Sequence, residues 1–198
     1  MQIDSISYDY AADNMNYDNN LVAALQRNTI SSFLRFYIWK NRGLTQSEKR
    51  CINTNLNHID HAYRVTGGGL VFHCPGDIVF SYGAPINTPN IPKKLKDRCM
   101  WFATIIKEGL HNIGISVELA KNVNQINQDI YYCSSYHNPY ECMLDNQKIS
   151  GIALKKTRQY IIFQGVIHIE ATNQWFHDIH PDYKRYFTTG ISHCFEKN

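Results

Sequence analysis

Cys133 and Lys148 stand fifteen positions apart, the cysteine in the polar stretch "CSSYHNPYE" and the lysine at the start of "KISGIALKK". A thiol in a loop of Ser, Tyr, His, Asn and Pro can be exposed, and a nearby ammonium would stabilise its thiolate, lowering the pKa from about 8.5. Such a pair suits acyl transfer. The thiolate attacks a thioester carbonyl, and the lysine stabilises charge or moves the leaving group's proton. By residue type alone, the same two residues also read as an inert thiol and a surface lysine.

A second stretch, "YRVTGGGLVFH" (Tyr63 to His73), sets Gly67, Gly68 and Gly69 between an arginine and a histidine. Glycine permits positive φ or lets a ligand touch bare backbone, at about 0.5–1 kcal/mol per residue within a regular element. The plainer reading of the glycines is a tight hairpin turn. "HIDH" (His58, Asp60, His61) and "HDIH" (His177, Asp178, His180) carry an i,i+3 spacing that zinc uses. Neither has a third ligand suggested by sequence, so no metal is expected. His137 is a candidate base for a thiol or a solvent-facing loop histidine, and Cys142 reads as core packing.

These residues need elements to position them. "NMNYDNNLVAALQRN" (Asn14 to Asn28) predicts a helix with Met15, Leu21, Val22 and Leu25 near one face. The strongest helix is "KKLKDRCMWFATIIKEGLHNIG" (Lys93 to Gly114), where Leu95, Cys99, Phe102, Ile106 and Leu110 repeat at helical spacing. Strands are predicted over Phe33 to Trp39, Asp77 to Pro85, Ile115 to Leu119, Tyr140 to Leu144, Lys148 to Lys156 and Gln159 to Ala171. A "DNQ" turn separates Leu144 from Lys148. Hairpin strands with two principal helices favour an α+β class.

At 198 residues, 43% of them hydrophobic, the chain is long enough for one core, and a single domain over 1–198 is expected. Six cysteines show no CxxC pair, so reduced thiols in a cytoplasmic compartment are expected rather than disulfides. No run approaches 18 apolar residues, which argues against a membrane span. The net charge of +3 has its densest basic cluster in "KKLKDR" (Lys93 to Arg98), on a helical pattern. That cluster reads as a solvated face or a dock for an acidic partner, and no basic stripe interleaved with aromatics points to nucleic acid.

The order "NM..D", "RFY.W", "R.TGGG.VFH", then "C……YE" and "KISG.A" resembles the lipoate–protein ligase and octanoyltransferase family, in one superfamily with biotin protein ligases. The resemblance runs from about Asn14 to Ile169. It implies a single α+β catalytic domain with a mixed, largely antiparallel sheet flanked by helices, and no accessory C-terminal domain. It implies that Arg64, Thr66, Gly67, Gly68, Gly69, His73 and Gly151 bind the octanoyl or lipoyl group, and that Lys148 contacts the acyl carbonyl. "CSSYHNPYE" resembles the octanoyltransferase branch that carries a nucleophilic cysteine at this place, which makes Cys133 and Lys148 the expected catalytic residues.

The resemblance then implies octanoyl transfer from an acyl-carrier-protein thioester, through an acyl-Cys133 intermediate, to a lysine of lipoyl-domain proteins. The glycine cleavage H protein and the E2 component of 2-oxoacid dehydrogenases are the acceptors it implies. A transferase needs no cofactor. The alternative is an ATP-dependent lipoate ligase using the same pocket with ATP and magnesium, and a further one is a non-catalytic module that binds lipoyl domains or acyl carriers. Two departures stand out: Tyr63 replaces a common first arginine, and Gln164-Gly165 replaces a usual His-Gly.

Overall fold

A computed structural model describes residues 1–47, 59–121, 138–170 and 190–195. Helix α1 spans Ala11–Gln26 and α2 spans Leu95–Asn112. The main sheet contains β1 (Gln2–Ile3), β2 (Ser7–Asp9), β3 (Phe33–Trp39), β7 (Ile78–Pro85), β11 (Ser150–Lys156) and β12 (Tyr160–Ile167). Its path is β1-β3-β7-β12-β11, with β2 also on β3. β1 and β2 run parallel to β3, and the other pairings are antiparallel. This is the α+β, largely antiparallel arrangement expected from the sequence.

Alternation along β12 explains why helices cover both faces. Tyr160 and Ile162 pack with Phe33 and the α1 residues Leu21, Val22 and Leu25. The intervening Ile161 and Phe163 pack with Phe80, Ala84 and the α2 residue Phe102. Period-2 strand geometry sends successive side chains to opposite faces, so one apolar strand serves two cores. Phe102 stacks on Phe163 with ring centroids 4.3 Å apart and planes at 6°. Fully burying a side chain of this size stabilises the fold by roughly 1.5–3 kcal/mol.

Two smaller sheets complete the frame. β4 (Gly43–Ser47) lies between β5 (Asp60–Arg64) and β6 (Val71–His73), parallel to the first and antiparallel to the second. The hairpin reading of the three glycines is therefore corrected. β5 and β6 both pair with β4 rather than with each other, so the glycine segment crosses over β4. The third sheet joins β8 (Glu118–Leu119), β9 (Cys142–Leu144) and β10 (Gln147–Lys148) in the order β10-β9-β8.

Other differences are local. α1 begins at Ala11, three residues before the expected start, because the carboxylate of Asp60 accepts the Ala11 N–H at 2.8 Å. That cap comes from 49 positions away. The strand expected over 115–119 is confined to Glu118–Leu119, and Leu95, on the apolar stripe of α2, is 58% exposed. Among the described residues, no helix is long and apolar enough to cross a membrane.

Candidate active site

The hairpin carrying Lys148 is built by its turn. Asp145 and Asn146 both take positive φ, 49° and 63°, which suits a two-residue connection between β9 and β10. The register sets Lys148 opposite Met143. Glu141, two residues before Met143, therefore lies diagonally within reach of the lysine. Lys148 Nζ donates to Glu141 Oε1 at 2.6 Å, with both side chains buried. The other carboxylate oxygen of Glu141 accepts the Asn138 N–H at 2.9 Å. Gly151 keeps this arrangement open, since a Cβ there would meet Lys148 Cε at 3.2 Å.

The glycine segment is tied down by Arg64. Its Nη2 donates to the carbonyls of Gly67 and Gly69 at 2.8 and 2.7 Å, while Nη1 donates to the Thr45 carbonyl at 2.9 Å. Gly68 sits at φ 99°, a conformation that favours glycine, whereas Gly67 has open space where a Cβ would lie. Of the two, only Gly68 requires glycine for its backbone conformation. Gly68→Ala is expected to destabilise the fold by about 1 kcal/mol or more. Gly67→Ala should melt within a degree or so of the parent, and thermal denaturation of the pair checks the contrast.

These groups surround one cavity of about 270 Å³, lined in part by apolar Met15, Val71, Val79, Ile152 and Val166. Its polar lining includes Arg64, His73, Glu141, Lys148, Gln164 and His168. A volume near the low end of the roughly 300–1,000 Å³ typical of ligand sites fits a slim ligand. Of the residues expected to bind substrate, Arg64, Gly67, Gly68, His73 and Gly151 line the cavity together with Lys148. Thr66 and Gly69 do not line it and act from behind: Gly69 through its carbonyl on Arg64, and Thr66 through Gln164. Cys133 lies outside the described residues, as do His58, His137, His177, Asp178 and His180.

Gln164 is more than a missing histidine. Its Oε1 accepts the Thr66 hydroxyl at 2.8 Å, and its Nε2 donates to Asp18 Oδ2 at 2.7 Å. Asp18 also accepts from Arg35 at 2.8 Å, Ser81 at 2.9 Å and Tyr37 at 3.1 Å. A buried polar chain therefore runs from α1 through the main sheet to the glycine segment. Burial and the adjacent Asp18 carboxylate hold the Tyr37 phenol well above its usual pKa. Tyr63, at the position of the common arginine, is 42% exposed and makes an edge contact with His61.

Two histidines line the cavity among the described residues. His73 is stacked on Trp39 at 4.0 Å, and its Nε2 pairs with the Thr45 hydroxyl at 3.1 Å. Burial, with help from His168 and Arg64, pushes its pKa well below the usual value, so the ring is held neutral. An unfolded histidine titrates near 6.5, so below that pH the unfolded chain binds a proton that folded His73 refuses. Stability should therefore fall as pH drops below about 6.5, until the folded pKa is reached. Melting temperatures at about pH 7.5 and 5.5 test this, and His73→Gln should lose less on acidification than the parent.

His168 was not singled out by sequence reading. Its Nδ1 meets Asp77 Oδ2 at 2.9 Å, and Asp77 is fully buried, accepting also from the N–H groups of Cys74 at 2.9 Å and Ile169 at 3.2 Å. The distance of 91 positions between them leaves no local pattern to detect. Glu141 was not singled out either, although the short turn that sets Lys148 opposite Met143 brings it diagonally within reach. Cys142 is buried in the core as expected, its thiol pushed up to about 12 by burial and then by Glu141. Among the described residues, no group of three or more His, Cys, Asp and Glu gathers to hold a metal.

The model of the lipoyl protein ligase A/B catalytic domain matches residues 10–195. The chain belongs to that family. A curated octanoyltransferase, LipM from Exiguobacterium sibiricum, is 23% identical over 171 residues, covering 80% of this chain. The chain spans 62% of that relative's length. A crystal structure of lipoate-protein ligase A bound with ATP superposes with a TM-score of 0.69 at 16% identity, covering 97% of this chain and 76% of that one. A putative lipoate protein ligase from T. acidophilum with bound lipoic acid gives 0.67 at 18% identity, with coverage of 97% and 76%. At such identities the superpositions show the lipoyl-ligase fold. A biotin protein ligase from Leishmania major with bound biotin is more distant, at a TM-score of 0.53, 14% identity and coverage of 97% and 64%.

Proposed function

We propose that this lipoyl-ligase-family chain moves an octanoyl or lipoyl group from a carrier thioester to a lysine of a lipoyl domain, with Cys133 as the nucleophile. The observation that carries this reading is the cavity, in which apolar walls meet the buried Lys148–Glu141 pair and the glycine segment held by Arg64. An alkyl chain gains by leaving water for the apolar lining, and a fixed ammonium stabilises negative charge developing on the acyl oxygen. Because Lys148 is bound to Glu141, its role is electrostatic. Single-domain organisation over 1–198, a cytoplasmic setting, acyl carrier protein as donor, and H protein or E2 domains as acceptors belong to the same proposal.

The similarity to a ligase bound with ATP supports a second reading. In it, free lipoate is activated by ATP with magnesium, and Lys148 faces the acyl phosphate. Mixing the protein with octanoyl-carrier protein and apo lipoyl domain, with and without ATP, separates the two readings by acceptor mass. A gain of one octanoyl group without ATP is the expected result. Modification only from free lipoate plus ATP supports the ligase. Capture of the lipoyl domain with no mass change in any condition indicates a binding module.

A further inference from the structure

Acyl transfer from a thioester to an amine moves one proton from nitrogen to sulfur, so the site needs a proton carrier. Lys148 is occupied, its ammonium bound to Glu141 at 2.6 Å. His73 is occupied on Nε2 by Thr45, and its Nδ1 is sealed in the protein without a partner. His168 differs from both. Asp77 engages its Nδ1, fixing the tautomer with the proton on that nitrogen, and Nε2 has no partner among the described residues. A buried carboxylate that orients a cavity histidine is the arrangement through which a general base is held and its cation stabilised.

We propose that His168, positioned by Asp77, is the proton carrier for the aminolysis step. This rests on the transferase reading above. The neutral ε-amine of the acceptor lysine adds to the thioester carbonyl carbon, forming the C–N bond. His168 Nε2 takes the proton that nitrogen releases. As the C–S bond breaks, the imidazolium returns that proton to the departing sulfur, leaving an amide, a free thiol and neutral His168. Asp77 keeps its charge throughout and steadies the transient imidazolium. Its bonds to the Cys74 and Ile169 N–H groups hold the carboxylate in place for that task.

The test separates loading from transfer by single-turnover mass spectrometry, using octanoyl-carrier protein and apo lipoyl domain. His168→Gln and His168→Ala are compared with the parent, and circular dichroism and melting temperature report their folding. Both variants should still load octanoyl from the carrier, while transfer to the lysine slows about 100-fold or more, the low end of general acid–base contributions. Added imidazole should restore part of the rate in His168→Ala, which a purely structural role would not allow. Transfer at the parental rate in folded His168→Gln overturns the assignment. So does a slowed His168→Ala that imidazole leaves unchanged. If the parent itself neither loads nor transfers, the transferase reading fails and this proposal fails with it.

Discussion

Lys148→Met is expected to lower acyl transfer by about 100-fold or more and to destabilise the fold at the same time. Removing one fixed electrostatic donor from an acyl-transfer site costs about 10²–10³ in rate. Separately, Glu141 would be left buried without its cation, and breaking a buried pair this way costs about 3–5 kcal/mol. The double variant Lys148→Met/Glu141→Gln distinguishes the two effects. Without the carboxylate there is no uncompensated charge, so stability should return to within about 1–2 kcal/mol of the parent. Activity should stay lost. A double variant that regains both would reduce Lys148 to a structural residue and remove it from the chemistry.

The second large effect is expected at Asp18. Its two oxygens accept from Arg35, Ser81, Tyr37 and Gln164. Arg35, for its part, is held by the Asn14 carbonyl and side chain and by Ser7, and its guanidinium lies over the Tyr37 ring at 4.0 Å. Asp18→Asn keeps the shape but turns an acceptor into an NH2 facing donors, and it leaves the arginine charge uncompensated. A loss of about 3–5 kcal/mol follows, which for a chain of this size lowers the melting temperature by roughly 6–20 °C. Whatever folds should also bind the acyl donor more weakly, because Gln164 loses the partner through which it holds Thr66. A variant melting within two degrees or so of the parent would show that the buried chain contributes little.

How much of this was legible in the sequence depended on whether the cause was local. Helical spacing placed α2, and the apolar runs placed β3, β7 and β12, because those periodicities reflect nearby packing. Gly67 and Gly68 of the glycine stretch line the cavity, but the segment is not the hairpin turn that glycines alone suggest. The strand that separates β5 from β6 is "GLTQS", Gly43 to Ser47, whose buried polar residues show no alternation to betray it. The start of α1 was set by Asp60, far along the chain.

The candidate site divides in the same way. Family resemblance pointed to Arg64, His73 and Lys148, whereas Glu141, diagonal to Lys148 across a tight turn, went unremarked. Gln164 registered only as the absence of a histidine. Its bonds to Thr66 and Asp18 span 98 and 146 positions, which no window along the chain can reveal. The His168–Asp77 pair was missed for the same reason. Those long-range polar pairs are what distinguish this chain's cavity from the motif that marks it.

The central claim is that Cys133 carries the acyl group, and intact-mass measurement tests it most directly. The protein is incubated with octanoyl-carrier protein, quenched in acid, weighed, and mapped by peptide. One octanoyl group on Cys133 of the parent, released by hydroxylamine and absent from Cys133→Ala, is the predicted result. An acceptor domain modified at full rate by Cys133→Ala, with no adduct on the parent's cysteine, would contradict it and leave the cavity serving direct or ATP-dependent transfer.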